Sequence, residues 1–159
     1  MISKNIDEVV GYKKINAKWK PFLEGNEIGR YFVNYLGRYL HYSDNLLHRS
    51  RTPDVFESPK IMIQRITGGS TPVKATYDKK YFYNKESIIN LVLKRQDDAE
   101  YKYILALLNS KLVNWFYQKK FTTEPKLKVN LSKEYLGQIT IKNISSINQK
   151  PFIKLVDTI

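Results

Sequence analysis

The chain has 159 residues, no cysteine, two histidines and 27 Lys+Arg against 15 Asp+Glu, a formal net charge of +12. That length predicts one domain able to bury a core without a staple. The missing cysteines exclude disulfides and thiolate metal sites and fit a reducing compartment. The charge excess points to a polyanionic partner, nucleic acid first, against the plainer reading of a lysine-rich solubilising surface.

His41 and His48 are too few for a metal cluster. No apolar run approaches the roughly 18 residues of a membrane span. The N-terminus lacks the layout of a signal peptide. A soluble, cytoplasmic protein is expected. Twelve tyrosines among basic residues suit phosphate contacts and base stacking, although tyrosine is also an ordinary sheet residue.

In chain order, residues 1–18 are polar and predict a short helix or extended lead-in. Residues 19–30 (WKPFLEGNEIGR) predict a compact loop, since Pro21 discourages helix and Gly25 and Gly29 bracket a tight turn. Trp19, Phe22 and Leu23 are expected to cap the core. A phosphate cradle on these glycines has weak support, because no Gly-rich phosphate-loop pattern is present. Residues 31–42 are aromatic and β-branched, with a turn at 34–37, and predict a hairpin in which His41 is a packed residue. Residues 43–58 predict a long loop with one helical turn, its basic part being His48, Arg49 and Arg51.

Residues 60–67 (KIMIQRIT) predict a strand, broken by Gly68, Gly69 and Ser70. Further extended pieces are expected at 73–78, 81–83 and 87–93, with Lys79 and Lys80 at a turn. Asp98 is the expected N-cap of the clearest helix in the chain, which ends near Lys119. Tyr101, Ile104, Leu105, Leu108, Leu112, Trp115 and Phe116 give it a wide apolar stripe at spacings of three and four. Trp115 is expected in the core, and Asn109 and Ser110 at a tight contact or on the polar side. Residues 121–131 form a basic Thr- and Lys-rich loop, with Pro125 arguing against helix. Residues 135–142 predict a strand. Ser145 or Ser146 caps a last helix that stops while still periodic, as a fragment of something longer would.

The sequence carries no catalytic constellation. A metal-dependent nuclease needs acids on adjacent strands with a nearby lysine. Asp54, Glu57 and Lys60 have the wrong spacing, and Glu100 with Lys102 falls at a helix start. Zinc spacing, a nucleophile elbow, a Gly-rich cofactor loop and the aromatic tetrapeptide of amino-methyltransferases are all missing. No enzymatic activity is expected of this fragment.

The order of features resembles a known family. Pro21, Phe22, Leu23, Gly25, Ile28, Arg30 and Tyr31 lead into Tyr39, Leu40 and Tyr42. Phe56, Glu57, Pro59, Lys60 and Ile61 lead into Arg65, and Tyr83 and Asn84 follow. The run from Tyr103 to Leu112 (YILALLNSKL) precedes the basic loop, with Gln149, Lys150, Pro151 and Phe152 after it. Together these resemble the TaqI-like C-terminal specificity domain, the target recognition domain of adenine-N6 DNA methyltransferases and fused type IIG restriction–modification enzymes. Type I specificity subunits use related domains.

The resemblance implies an α+β domain with mixed, mostly antiparallel twisted sheets on a long amphipathic helix. It implies a lead-in at 1–18, a target recognition domain at 19–144 and the start of a helical region at 145–159. The implied partners are double-stranded DNA and the methyltransferase domain, alone or with a nuclease domain, of a parent polypeptide or complex. S-adenosylmethionine is expected in that parent domain and no cofactor in this fragment. On this reading Lys119, Lys120, Lys126 and Lys128 neutralise phosphates. Arg49, Arg51 and Arg65 contact base edges or phosphates, and Ser70, Thr71, Thr122 and Thr123 read bases or hold water. The alternatives are a nucleic-acid- or protein-binding module without sequence specificity, or a nuclease.

Overall fold

The computed structural model describes residues 6–43, 52–122 and 129–159. A helical turn, α1 (Ile6–Val9), runs into β1 (Val10–Gly11). Then come β2 (Trp19–Leu23), a 3-10 turn at Gly25–Glu27, β3 (Tyr39–His41) and a second 3-10 turn at Pro53–Val55. Next are β4 (Lys60–Gln64), β5 (Ile66–Thr67), β6 (Ala75–Asp78), β7 (Tyr83–Asn84) and β8 (Ile88–Leu91). The second half holds α2 (Asp98–Leu108), α3 (Lys111–Phe121), β9 (Val129–Asn130), α4 (Lys133–Leu136) and α5 (Ser146–Asp157).

The fold is α+β. The strands form three sheets, ordered β1-β3-β2-β7, β6-β4-β8 and β5-β9. Among the described residues every named pairing is antiparallel except β2 with β7. Strand β4 lies at the centre, buried from Lys60 to Ile63. Its alternation explains why neither face looked cleanly apolar: Ile61 and Ile63 join the cluster of Tyr101, Leu105 and Leu108, whereas Met62 packs with Leu23, Ile28 and Ile88. Fully burying such side chains stabilises by about 1.5–3 kcal/mol each.

Several expectations are corrected. Residues 19–23 are a strand, not a loop. Pro21 is tolerated because the ladder bond to the β3 side comes from Phe22 N to Arg38 O (2.8 Å) and β7 reaches only Phe22 and Leu23. The hairpin at 31–42 does not form: β3 pairs with β2 and β1 instead. What precedes it is held by the buried Glu27 carboxylate, which accepts from Glu24 N (2.7 Å), Leu36 N (3.2 Å) and the Arg38 guanidinium. His41 is packed, its ring stacked on Trp19 at 5.3 Å.

The predicted helix from 98 to 119 is two helices. Asn109 is fully buried and turns inward to grip β6: its Oδ1 accepts from Ala75 N (3.0 Å) and its Nδ2 donates to Ala75 O (2.9 Å). Ser110 then caps α3, accepting from Val113 N (3.1 Å). Asn114, one turn on, accepts from Val73 N (2.8 Å). The restart changes which face is buried. Val113, Asn114 and Tyr117 turn inward, while Leu112 (72 % exposed) and Trp115 (57 % exposed) turn out, so Trp115 is not a core residue. The strand expected at 135–142 is also absent. Ser132 caps α4 by accepting from Tyr135 N (3.0 Å), and Gly137 closes it. The last helix is present and capped by Ser145.

The cap of α2 is Asp97, whose side chain accepts from Ala99 N (2.9 Å). Asp98 does another job, binding Lys79 (2.7 Å), Lys102 (3.0 Å) and the Tyr77 hydroxyl (3.0 Å). The Lys79 hydrogen bond, then those from Lys102 and Tyr77, hold its carboxyl down at about 2 against burial. A depressed carboxyl contributes stability above its unfolded pKa of about 4 and loses it as pH falls towards 2. The group is half-exposed, so screening limits the contribution to about 1 kcal/mol or less. Asp98→Asn is therefore expected to flatten the acid limb of stability between about pH 4 and 2. Urea midpoints measured across that range check this, and an unaltered slope would refute it.

Candidate nucleic-acid interface

Strands β5 and β9 form a two-stranded ribbon, with Ile66 opposite Asn130 and Thr67 opposite Val129. Arg65 sits in the bend before it. Its backbone is fixed on both sides, donating to Ser87 O (2.9 Å) and accepting from Leu131 N (2.8 Å). Its Nε donates to Asn130 Oδ1 (3.1 Å). Beyond Thr67 the chain turns through residues 68–71. Thr67 Oγ1 closes this turn by donating to Pro72 O (2.8 Å), and Gly69 adopts φ +76°, which a side chain would strain.

The turn is tied to α3. Gln118 Nε2 donates to Gly69 O (3.1 Å), and Gln118 O accepts the backbone N–H and hydroxyl of Thr122 (3.2 and 2.7 Å). Ser70 and Thr71 are thereby brought close to the end of α3, which carries Lys119, Lys120 and Thr122. Both lysines are exposed in the last turn, where the helix dipole favours cations. Lys120 lies over Phe116 and Phe121 at 5.4 and 5.3 Å. Arg65 stands at the other end of the ribbon. Ser70 is five positions along the chain from it, so the two lie within roughly 17 Å, inside the roughly 34 Å of one duplex turn.

Of the sequence candidates, Arg65, Ser70, Thr71, Lys119, Lys120 and Thr122 are thus on connected elements. Arg49, Arg51, Thr123, Lys126 and Lys128 lie outside the described residues. The first two belong to a segment whose flanking Tyr42 and Phe56 pack with Tyr83, a cluster separate from the ribbon.

Beside Arg65 opens a groove of about 610 Å³ whose lining includes Glu24, Gln64, Ile66, Lys85, Glu86 and Asn130. None of these six was singled out as a site residue from the sequence. The 66–130 pairing joins positions 64 residues apart, so no local signal marks it. Glu24 is neutralised by Lys85 (3.3 Å) and Arg38 (3.4 Å). Gly25 is pressed against Ser87: an added Cβ would meet Ser87 O at 2.8 Å, and Gly25 N already donates to Ser87 Oγ (2.9 Å). Gly29 N donates to Phe32 O (3.1 Å). Both N–H groups are spent, so these glycines serve close packing, not a phosphate cradle.

A smaller cleft of about 230 Å³ lies where Leu112, Trp115 and Phe116 face Ile139. Among the described residues no group of three or more His, Asp or Glu could hold a metal ion. No described helix is long and apolar enough to cross a membrane.

The profile of the TaqI-like C-terminal specificity domain matches residues 20–141. The chain belongs to that family, the specificity domains of restriction–modification enzymes. A Methanocaldococcus jannaschii protein whose name assigns it as a type II restriction enzyme and methyltransferase is 33 % identical over 107 residues, 66 % of this chain. The chain spans 9 % of that protein's length.

Proposed function

We propose that this chain is the sequence-specific duplex-DNA recognition domain of a restriction–modification adenine-N6 methyltransferase, residues 19–144 forming the recognition unit. The observation that carries the reading is the joining of Arg65, the 68–71 turn and the basic end of α3 through Gln118 in a chain of this family. Lysines 119 and 120, with Lys126 and Lys128 of the following segment, supply the phosphate contacts that set register. Base edges are left to Arg65 and the turn. S-adenosylmethionine belongs to the parent's methyltransferase domain on this reading. The 610 Å³ groove does not suit it, since no aromatic ring lines it for an adenine to stack on. Arg49 and Arg51 remain candidates for a second contact.

Replacing Lys119 and Lys120 with alanine is expected to weaken binding to all duplexes alike. The slope of log K against log salt should fall by about 0.9 per lost phosphate contact. Fluorescence anisotropy with a duplex between 50 and 200 mM salt measures both quantities. An unchanged slope would remove these lysines from the interface.

A further inference from the structure

The ribbon of β5 and β9 has the form that the major groove admits, a two-stranded antiparallel pair. Its alternation sorts four side chains. Thr67 and Val129 are buried, whereas Ile66 (42 % exposed) and its cross-strand neighbour Asn130 face outward. The bend at Arg65 interrupts the alternation, so Arg65 and Ile66 both line the 610 Å³ groove. Asn130 takes one of the five guanidinium donors and fixes the plane of the rest.

The lining also separates a base edge from a phosphate. A phosphate site is built from donors. Here the carboxylates of Glu24 and Glu86 share the lining with Arg65 and Lys85, which disfavours a phosphate anion and suits the neutral edge of a base. Ile66 is apolar and half-exposed in this polar setting. The chemistry that fits it is the C5-methyl group of thymine, the apolar feature of the major-groove edge.

We infer that the ribbon reads bases: Arg65 donates to N7 and O6 of a guanine, Ile66 packs on the methyl of the neighbouring thymine, and Asn130 is a positioning residue that holds the guanidinium flat. This rests on the DNA-recognition reading above and extends it to two residues and two base types. Successive Cα atoms stand about 3.8 Å apart and successive bases about 3.4 Å, so adjacent residues can meet adjacent pairs.

The test is selection of duplexes from a random library by the whole chain, followed by affinity measurements on the selected duplex. The wild type is expected to enrich a motif with guanine next to thymine. Arg65→Ala should reduce discrimination at the guanine by roughly five- to hundredfold. Asn130→Ala should lower the same preference, and Asn130→Asp, which keeps an acceptor for Arg65 Nε, should restore it. Uracil in place of the thymine should weaken wild-type binding about fourfold, the worth of one methyl, and leave Ile66→Ala unaffected. A 7-deazaguanine duplex, which lacks the N7 acceptor, should weaken the wild type as well. The wild-type readings with these two base analogues need no variant, so a variant that fails to fold does not stop the test. A motif lacking the guanine–thymine step, or preferences unmoved by the base analogues, overturns the ribbon assignment and leaves DNA recognition standing. No enrichment by the wild type overturns both.

Discussion

Asp78→Ala is expected to destabilise the protein by about 3–5 kcal/mol, the usual cost of leaving a buried charge without its partner. Lys60 and Asp78 are both essentially without solvent exposure and meet at 2.5 Å. The ammonium also donates to Phe56 O at 2.7 Å. Burial pushes Lys60 below the ordinary lysine value and Asp78 opposes that push. Asp78 also accepts from Lys80 N (2.8 Å) and Phe82 N (2.9 Å), so the same carboxylate shapes the turn between β6 and β7. Removing it strands the ammonium and frees two backbone donors. Removing both charges, in Lys60→Met with Asp78→Ala, should cost less than Asp78→Ala alone, because no buried charge then remains. Urea unfolding of the single and double variants decides the matter. A loss below about 1 kcal/mol in Asp78→Ala would mean that water or another group reaches Lys60.

Asn109→Ala should cost about 2–4 kcal/mol, through an orphaned Ala75 N–H and a lost interior contact. The Ala75 carbonyl keeps a partner, since Tyr31 N also donates to it at 3.1 Å; the amide proton is the exposed weakness. Hydrogen exchange at Ala75 should accelerate along with the drop in unfolding midpoint. If protection there were unchanged, the Asn109 clamp would not be what holds β6 to the helices. The same variant should perturb Lys119 and Lys120, because the direction of α3 is set at the break Asn109 creates.

That break marks where sequence reasoning stopped working. Strand β4 was legible because Lys60, Ile61, Met62 and Ile63 open a short β-rich run that stops at Gly68 and Gly69, and β8 because the Ile and Val content of residues 87–93 favours strand. The stripe Tyr101, Ile104, Leu105 and Leu108 was legible from its period. Beyond Asn109 the period continued into Leu112 and Trp115, but the real helix had already been reset. The partner that resets it, Ala75, lies 34 residues away. Asparagine and serine are only mildly unfavourable inside helices, so nothing local forbade the longer one. At 135–142 a strand-like pattern lost to the Ser132 cap and Gly137. For the candidate interface, residue type pointed to Arg65, Lys119, Lys120 and the turn hydroxyls. The groove itself depends on a strand pairing across 64 residues, and with it Ile66 and Asn130 stayed unseen.

The way α3 ends and the ribbon begins bears on how such a chain diversifies. Thr122 is pinned to Gln118, and Val129 is paired with Thr67. Both borders of residues 123–128 are therefore set by bonds that do not involve the residues between them. Sequence changes within 123–128 leave the groups that make both border bonds unchanged, so the end of α3 and the start of β9 keep their own anchors whichever residues stand between them.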